Sequence, residues 1–283
     1  MPTRAPELDR LTAAAALAEV RELLAQHQER VLHPAYVATG PVGLCSDLHL
    51  PLMDADLFAQ FLGALERHRC REVALVGDLF DQEAFSSHPP GLRTPSADFQ
   101  VELELARRTL LALLAHVDRL YLLPGNHDVR VLRALKYQLG MLDLVRVILP
   151  EAGLLRGGTG TVRVAGKDRE LVVSRLPRLE LRVYGQPWVL LHPASYSKVR
   201  GRTATLFADQ EASHVAIGHV HHFHQGLSTN GRWHALELGG LFNPKLLSYV
   251  HEGPKPGTTM TQGFFILGPS GPIGYSPDPG GES

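Results

Sequence analysis

The chain has 283 residues, 44% of them hydrophobic, enough to bury a sizeable core and too many for a mostly disordered protein. Its 28 Lys+Arg against 29 Asp+Glu leave a net charge of −1, which excludes a uniformly basic nucleic-acid binder but not a local basic patch. Two cysteines, Cys45 and Cys70, cannot build a disulfide framework, and no Cys-x-x-Cys pair marks a zinc ribbon.

Residues 1–35 read as a helical extension, since Leu8, Leu11, Ala15, Leu17, Val20, Leu23 and Leu24 recur near helical spacing. The start lacks a secretory pattern, and no run of 18 apolar residues is present. With so few cysteines, the sequence predicts a cytoplasmic protein with no membrane contact. A strand is then expected at 42–45, a helix at 55–67, a strand at 72–76, a loop at 84–96, a helix at 97–116, a strand at 119–123 and a helix at 129–139. This alternation predicts an α/β fold with a parallel sheet under covering helices. From 144 to 191 short β-rich runs follow, and 157–160 reads as a hairpin turn. Further strands are expected at 189–191, 215–217, 233–238 and 264–267. Residues 36–267 read as one domain, and 268–283 as a Gly/Pro-rich tail.

In open α/β sheets, ligands bind at the carboxyl ends of the strands. Five apolar runs here end in metal-ligand residue types: Asp47 and His49, Asp78, Asn126 and His127, His192, then His219 and His221. The set is carboxylate, imidazole and amide without thiolate, which suits Mn, Fe, Zn, Co or Ni. Seven ligand-type residues, leaving His127 aside, are too many for one tetrahedral ion and suit two ions bridged by one carboxylate. His214 competes with His192 but precedes its strand rather than following it, so His192 is preferred. His222 and His224 read as solvent-facing loop residues. A Ser/His/Asp hydrolase is set aside because no Gly-x-Ser-x-Gly elbow is present.

The order and spacing of five blocks resemble the calcineurin-like metallophosphoesterase superfamily. They are Asp47-Leu48-His49, Gly77-Asp78-Leu79-Phe80-Asp81, Gly125-Asn126-His127-Asp128, His192, and Gly218-His219-Val220-His221. The resemblance spans residues 42–222 and implies a central β-sandwich flanked by α-helices, here with an added N-terminal helix. It implies one metal on Asp47, His49, Asp78 and His221, and a second on Asp78, Asn126, His192 and His219. It implies a metal-bridging hydroxide as nucleophile. His127 is then expected beside the leaving-group oxygen, as general acid or as a stabiliser of phosphoryl charge, with Asp81 orienting it. Asp128 is left between supporting the site and capping the next helix.

The superfamily fixes the chemistry better than the substrate. Gln82 after Asp81, and Pro193-Ala194-Ser195 after His192, depart from its protein-phosphatase pattern. Between 146 and 202, eleven Lys/Arg face four acids, and Lys198, Arg200 and Arg202 follow His192 closely. Either they receive a polyanion or they form a solvated basic face. The expectation is a dinuclear-metal phosphodiesterase, with two divalent ions of which Mn2+ is favoured, acting on nucleic acid or nucleotides, a nuclease among the possibilities. The alternatives are a phosphomonoesterase, a nucleotide pyrophosphatase and, in a different class, a non-catalytic binding scaffold.

Overall fold

The computed structural model describes residues 15, 17–22, 24, 35–85, 99–154, 158–246 and 260–277. The chain divides into two units, residues 1–34 and 35–283. In the first, the described residues are helical; the rest of the helix expected there, and most of the loop expected at 84–96, lie outside the described residues. The second unit begins with β1 (Tyr36–Val37), β2 (Val42–Cys45), α1 (Ala55–Arg67), β3 (Glu72–Val76), α2 (Phe99–His116), β4 (Arg119–Leu123), α3 (Arg130–Ala134) and α4 (Met141–Ile148). It continues with β5 (Thr159–Val164), β6 (Lys167–Val173), β7 (Arg178–Val183), β8 (Gln186–Leu191), α5 (Arg202–Glu211) and β9 (His214–Ile217). It closes with β10 (Phe223–Leu227), β11 (His234–Leu238), β12 (Phe264–Gly268) and β13 (Gly271–Tyr275).

Successive side chains of a strand point to opposite faces, and here each face has a different neighbour. Val73 and Leu75 of β3 join an apolar core that also holds Leu57, Phe61 and Leu65 of α1 and Leu110 and Leu113 of α2. Ala74 and Val76 join a second core, shared with Leu179 and Leu181 of β7, Leu190 of β8 and Leu236 of β11. Leu120 and Leu122 of β4 face the helices, whereas Tyr121 and Leu123 face the other sheet. The central strands are therefore buried on both faces, which is why they read as continuous apolar runs. The second sheet has its own helix: Ala204 and Ala208 of α5 pack on Val189, Val215, Ile217 and Ala235. The layers run helix, sheet, sheet, helix, the flanked β-sandwich that the sequence predicts.

One sheet has seven strands in the order β13-β12-β2-β3-β4-β6-β5, parallel from β2 through β6 with an antiparallel hairpin strand at each edge. The other has six, β1-β7-β8-β9-β11-β10, with β8, β9 and β11 parallel. The loops after β2, β3, β4, β8 and β9 all leave from carboxyl ends, and they carry the ligand-type residues.

The structure departs from several expectations. The helix expected at 129–139 stops at Ala134, because Lys136 and Tyr137 take left-handed φ values of 51° and 56°. Residues 144–148, expected to be β-rich, belong to a helix over 141–148, in which Met141, Leu142, Leu144, Val145 and Ile148 are buried at helical spacing. Gly160 lies inside β5, and the hairpin turn to β6 is made by residues 165–166. The expected tail at 268–283 contains β13, an edge strand whose register pairs Pro272 with Leu267. An edge tolerates proline because its N–H side needs no partner. β10, which pairs with β11, was not expected at all.

Two predictions follow from burial. Phe61 is fully buried between α1 and the sheet, so Phe61→Ala should cost about 3–5 kcal/mol in chemical denaturation; a loss under about 1 kcal/mol would contradict this packing. Glu102 of α2 is buried; one carboxylate oxygen accepts from the Gln82 N–H at 3.1 Å and the other has no hydrogen-bond partner. Burial lifts its pKa from 4.5 to about 8. The folded protein thus holds a proton that the unfolded chain releases, and this stability, complete below 4.5, is lost as pH rises through about 8. The melting temperature should therefore fall less between pH 5 and pH 8 in Glu102→Gln than in the parent; equal falls would contradict a buried protonated carboxyl.

Candidate metal centre

The turns after the strands are held in unusual backbone conformations. Asp47, His49, Asp78, His219 and His221 all take left-handed φ, between 46° and 74°. Such values are uncommon for residues with a Cβ and persist where the surroundings over-determine them. The surroundings here are hydrogen bonds between the two neighbouring turns. Asp47 N donates to Gly77 O, Leu48 N and His49 N both donate to Asp78 O, and Leu50 N donates to Leu79 O. Asp78 Oδ1 accepts from His127 N at 2.8 Å and fastens the third turn. Gly125 must lack a side chain, because a Cβ there would lie 2.1 Å from Asp78 Oδ1; a Cβ on Gly77 would lie 2.2 Å from His192 Nδ1.

These turns bring together all seven expected ligands. His192 Nδ1 donates to Val76 O at 2.8 Å, which leaves Nε2 with its lone pair. That Nε2 lies 3.1 Å from Asn126 Oδ1 and 3.2 Å from Asp78 Oδ2. His219 completes this group with Asp78 and His192. On the other side, His49 Nδ1 faces Asp81 Oδ1 at 3.2 Å, so its Nε2 points inward. It lies 3.1 Å from His221 Nε2, 3.7 Å from Asp47 Oδ1 and 3.9 Å from Asp78 Oδ2. His221 Nε2 is 3.2 Å from Asp47 Oδ1. Asp78 Oδ2 faces both groups, is buried, and has no hydrogen-bond partner.

Lone pairs meeting at such distances repel unless positive charge lies among them. The pKa values of Asp47, His49 and His192 register the same demand, whereas burial lowers those of His219 and His221. Burial opposes the charge on Asp47, yet hydrogen bonds from His221 and His49 hold its carboxyl well below the usual range. Burial opposes charge on His49, but Asp47 and Asp81 lift it to about 10; against burial, Asp78 lifts His192 to about 9. Burial and the charge on His192 lower His219 to about 4. Protons on the imidazoles and divalent cations are two ways to supply the same charge. The donor set of nitrogen and oxygen atoms fits the second, as two ions sharing Asp78.

His127 and Asp81 lie at the rim of this cluster. Asp81 Oδ1 is 3.1 Å from His127 Nδ1 as well as 3.2 Å from His49 Nδ1, so it orients the His49 ring in addition to the expected His127. Asp128 is buried and joins two turns, accepting from Phe80 N at 3.0 Å and Gly125 N at 2.7 Å; it does not cap α3, whose N-cap residue is Val129. Lys198 and Arg200 are exposed on the segment after His192, and Arg202 opens α5. The same segment reaches the site through Tyr196, whose ring centre is 5.0 Å from that of His219.

Sequence reasoning missed several residues. Phe242, from the turn after β11, walls the site with its ring 4.6 Å from His221 and 5.5 Å from His49. Ser46 bonds the Asp47 carboxylate and Val76 O. Arg130 places Nη2 3.0 Å from His127 Nε2. His222 is buried 3.7 Å from Glu237, not solvent-facing, whereas His214 is stacked on Trp188 at the opposite end of its strand from His219.

A helix-flanked double sheet with a carboxylate–imidazole cluster at its strand ends defines a metal-dependent hydrolase. The calcineurin-like phosphoesterase family profile matches residues 40–223, and the chain belongs to that family. Its ligand set makes it a metal-dependent phosphoesterase. No curated protein matches the chain. Among solved structures, it is similar to an archaeal phosphodiesterase, at 10% identity over 83% of this chain and 99% of that one, with a TM-score of 0.44. It is similar to Vps29 from Chaetomium thermophilum, at 12% identity over 84% and 89%, with a TM-score of 0.40. It is also similar to the E. coli phosphoesterase YfcE, at 13% identity over 80% and 87%, with a TM-score of 0.37.

Asp78→Ala removes the oxygen that both groups face. After loading with Mn2+ and desalting, elemental analysis should find about two ions per parent chain and fewer than one in the variant. Equal metal content would contradict a shared carboxylate.

Proposed function

We propose that this phosphoesterase hydrolyses phosphodiester bonds in nucleic acid or nucleotides, with manganese as its working metal and the cytoplasm as its compartment. The observation that carries the hydrolytic reading is the buried Asp78 oxygen facing two separate histidine groups without a hydrogen-bond partner. Asp47, His49, Asp78 and His221 would hold one ion, and Asp78, Asn126, His192 and His219 the other. When bound, such a pair supplies an activated water and neutralises phosphoryl charge.

The chain's own residues do the rest. Val76 O fixes the His192 ring and Asp81 fixes that of His49, so both present Nε2 inward. Phe242 covers one side of His49 and His221 and excludes water there. His127 is directed to the leaving-group side, with Nδ1 anchored 2.9 Å from Asp81 O. It would serve as general acid or stabilise phosphoryl charge. The preference for a diester with a polyanionic flank is supported by Lys198 and Arg200, exposed on the segment that Tyr196 docks against His219. No helix among the described residues is long and apolar enough to cross a membrane.

Manganese-dependent turnover of bis-p-nitrophenyl phosphate should exceed that of p-nitrophenyl phosphate; the reverse would move the assignment to a phosphomonoesterase. His127→Ala should retain its metal but lose about 10²–10⁴-fold in rate, most on substrates with poor leaving groups. Unchanged turnover on those would reject its role. Neutralising Lys198, Arg200 and Arg202 together should weaken oligonucleotide binding and flatten its salt dependence, whereas binding identical to the parent at every salt concentration would return them to a solvated face.

A further inference from the structure

Arg130 stands one turn past the Asn126-His127 pair, half-buried at the start of α3. Its guanidinium spans two groups of the site. Nη1 donates to Asp81 O at 2.8 Å, and Nη2 lies 3.0 Å from His127 Nε2. A guanidinium only donates hydrogen bonds, so His127 Nε2 is the acceptor of this pair. The ring proton then sits on Nδ1, which faces Asp81 O at 2.9 Å and Asp81 Oδ1 at 3.1 Å. Nη2 thus covers the Nε2 edge of His127, and its departure to the substrate would free that edge for the leaving-group side. Arg130 places a permanent positive charge against His127 and Asp81.

We infer that Arg130 is a phosphoryl-binding residue, whose Nη2 passes from His127 Nε2 to a non-bridging oxygen of the substrate. The inference rests on the phosphoesterase reading of the site. Three features make this chemistry specific to the arginine. The fork geometry lets Nη1 stay on Asp81 O while Nη2 changes partner, so the side chain does not have to be reordered. An arginine keeps its charge at every working pH. Charge-assisted hydrogen bonds to phosphoryl oxygens are among the strongest that proteins make, and a lysine would supply the charge without the fork. His127 and Asp81 are then positioning residues for Arg130 as well as parts of the site in their own right. A fixed cation at this place favours the dianion of a monoester over the monoanion of a diester. Arg130 thus sets how much monoester activity accompanies the diester activity.

The test uses the full chain loaded with Mn2+, and inorganic phosphate as probe. Isothermal titration should show phosphate binding weakened about tenfold to hundredfold in Arg130→Ala, with metal content equal to the parent. Arg130→Lys should recover part of that loss. Added guanidinium should partly restore Arg130→Ala and leave the parent unchanged, a response that a structural arginine would not give. In turnover, Arg130→Ala should lose more on p-nitrophenyl phosphate than on bis-p-nitrophenyl phosphate. Should Arg130→Ala fail to fold, Arg130→Lys and Arg130→Gln carry the comparison, and equal phosphate affinity in those two would overturn the inference. Parent-like phosphate binding in Arg130→Ala at full metal content would also overturn it. A metal-loaded parent that binds no phosphate would overturn the phosphoesterase reading itself, and the role of Arg130 with it.

Discussion

Mutual repulsion among acceptor atoms is the constraint around which this protein is arranged. Asn126 Oδ1 and Asp78 Oδ2 both lie within hydrogen-bond distance of His192 Nε2, and His49 Nε2 and His221 Nε2 face each other 3.1 Å apart beside Asp47. In a buried setting, such a meeting of lone pairs and carboxylates is costly unless cations offset it. A chain stabilised only by its own packing would gain nothing from assembling it. The cluster is intelligible as a receptacle for positive charge, and the rest of the fold keeps it from relaxing.

That restraint has a clear physical source. The sandwich buries the central strands on both faces, so their positions are fixed before the turns begin. Five residues of the cluster then take left-handed φ values, held by a ladder of backbone hydrogen bonds that continues past the strand ends. Asp128 and the Asp78 Oδ1 bond to His127 N lace the third turn to the second. Glycine at 77 and 125 leaves room for His192 and Asp78 to reach the same point. Strain stored in the turns is balanced by the rigidity of the layers beneath them. The outer groups follow from the inner ones. Asp81 turns both His49 and His127, and Arg130 is held across both Asp81 and His127.

Much of this was legible in the sequence because strand ends and ligand types coincide there. The strands at 42–45, 72–76 and 119–123 lie where apolar runs predict them, and each is followed by the residues that reach the site. His192 was separable from His214 by its place after a strand, and the structure brings His192, rather than His214, into the cluster with Asp78 and His219. What escaped was set by long-range contact or by composition that misleads. Phe242 meets His49 across nearly two hundred residues, and no local pattern marks it. The helix 141–148 carries β-branched Val145, Val147 and Ile148, which favour a strand reading, yet its buried positions follow a helical period. The edge strand 271–275 has a tail's composition and exists through its pairing with β12. Arg130 follows the third block as an ordinary charged residue; only its contacts with Asp81 and His127 set it apart.

The central claim is that Asp78 joins two cations in one site. Electron paramagnetic resonance of the chain loaded with two equivalents of Mn2+ tests it directly. Ions roughly 3.5–4 Å apart on a shared carboxylate interact magnetically and should give an exchange-coupled spectrum. The spectrum of isolated Mn2+ alone, at the same loading, would contradict a dinuclear centre and the account built on it.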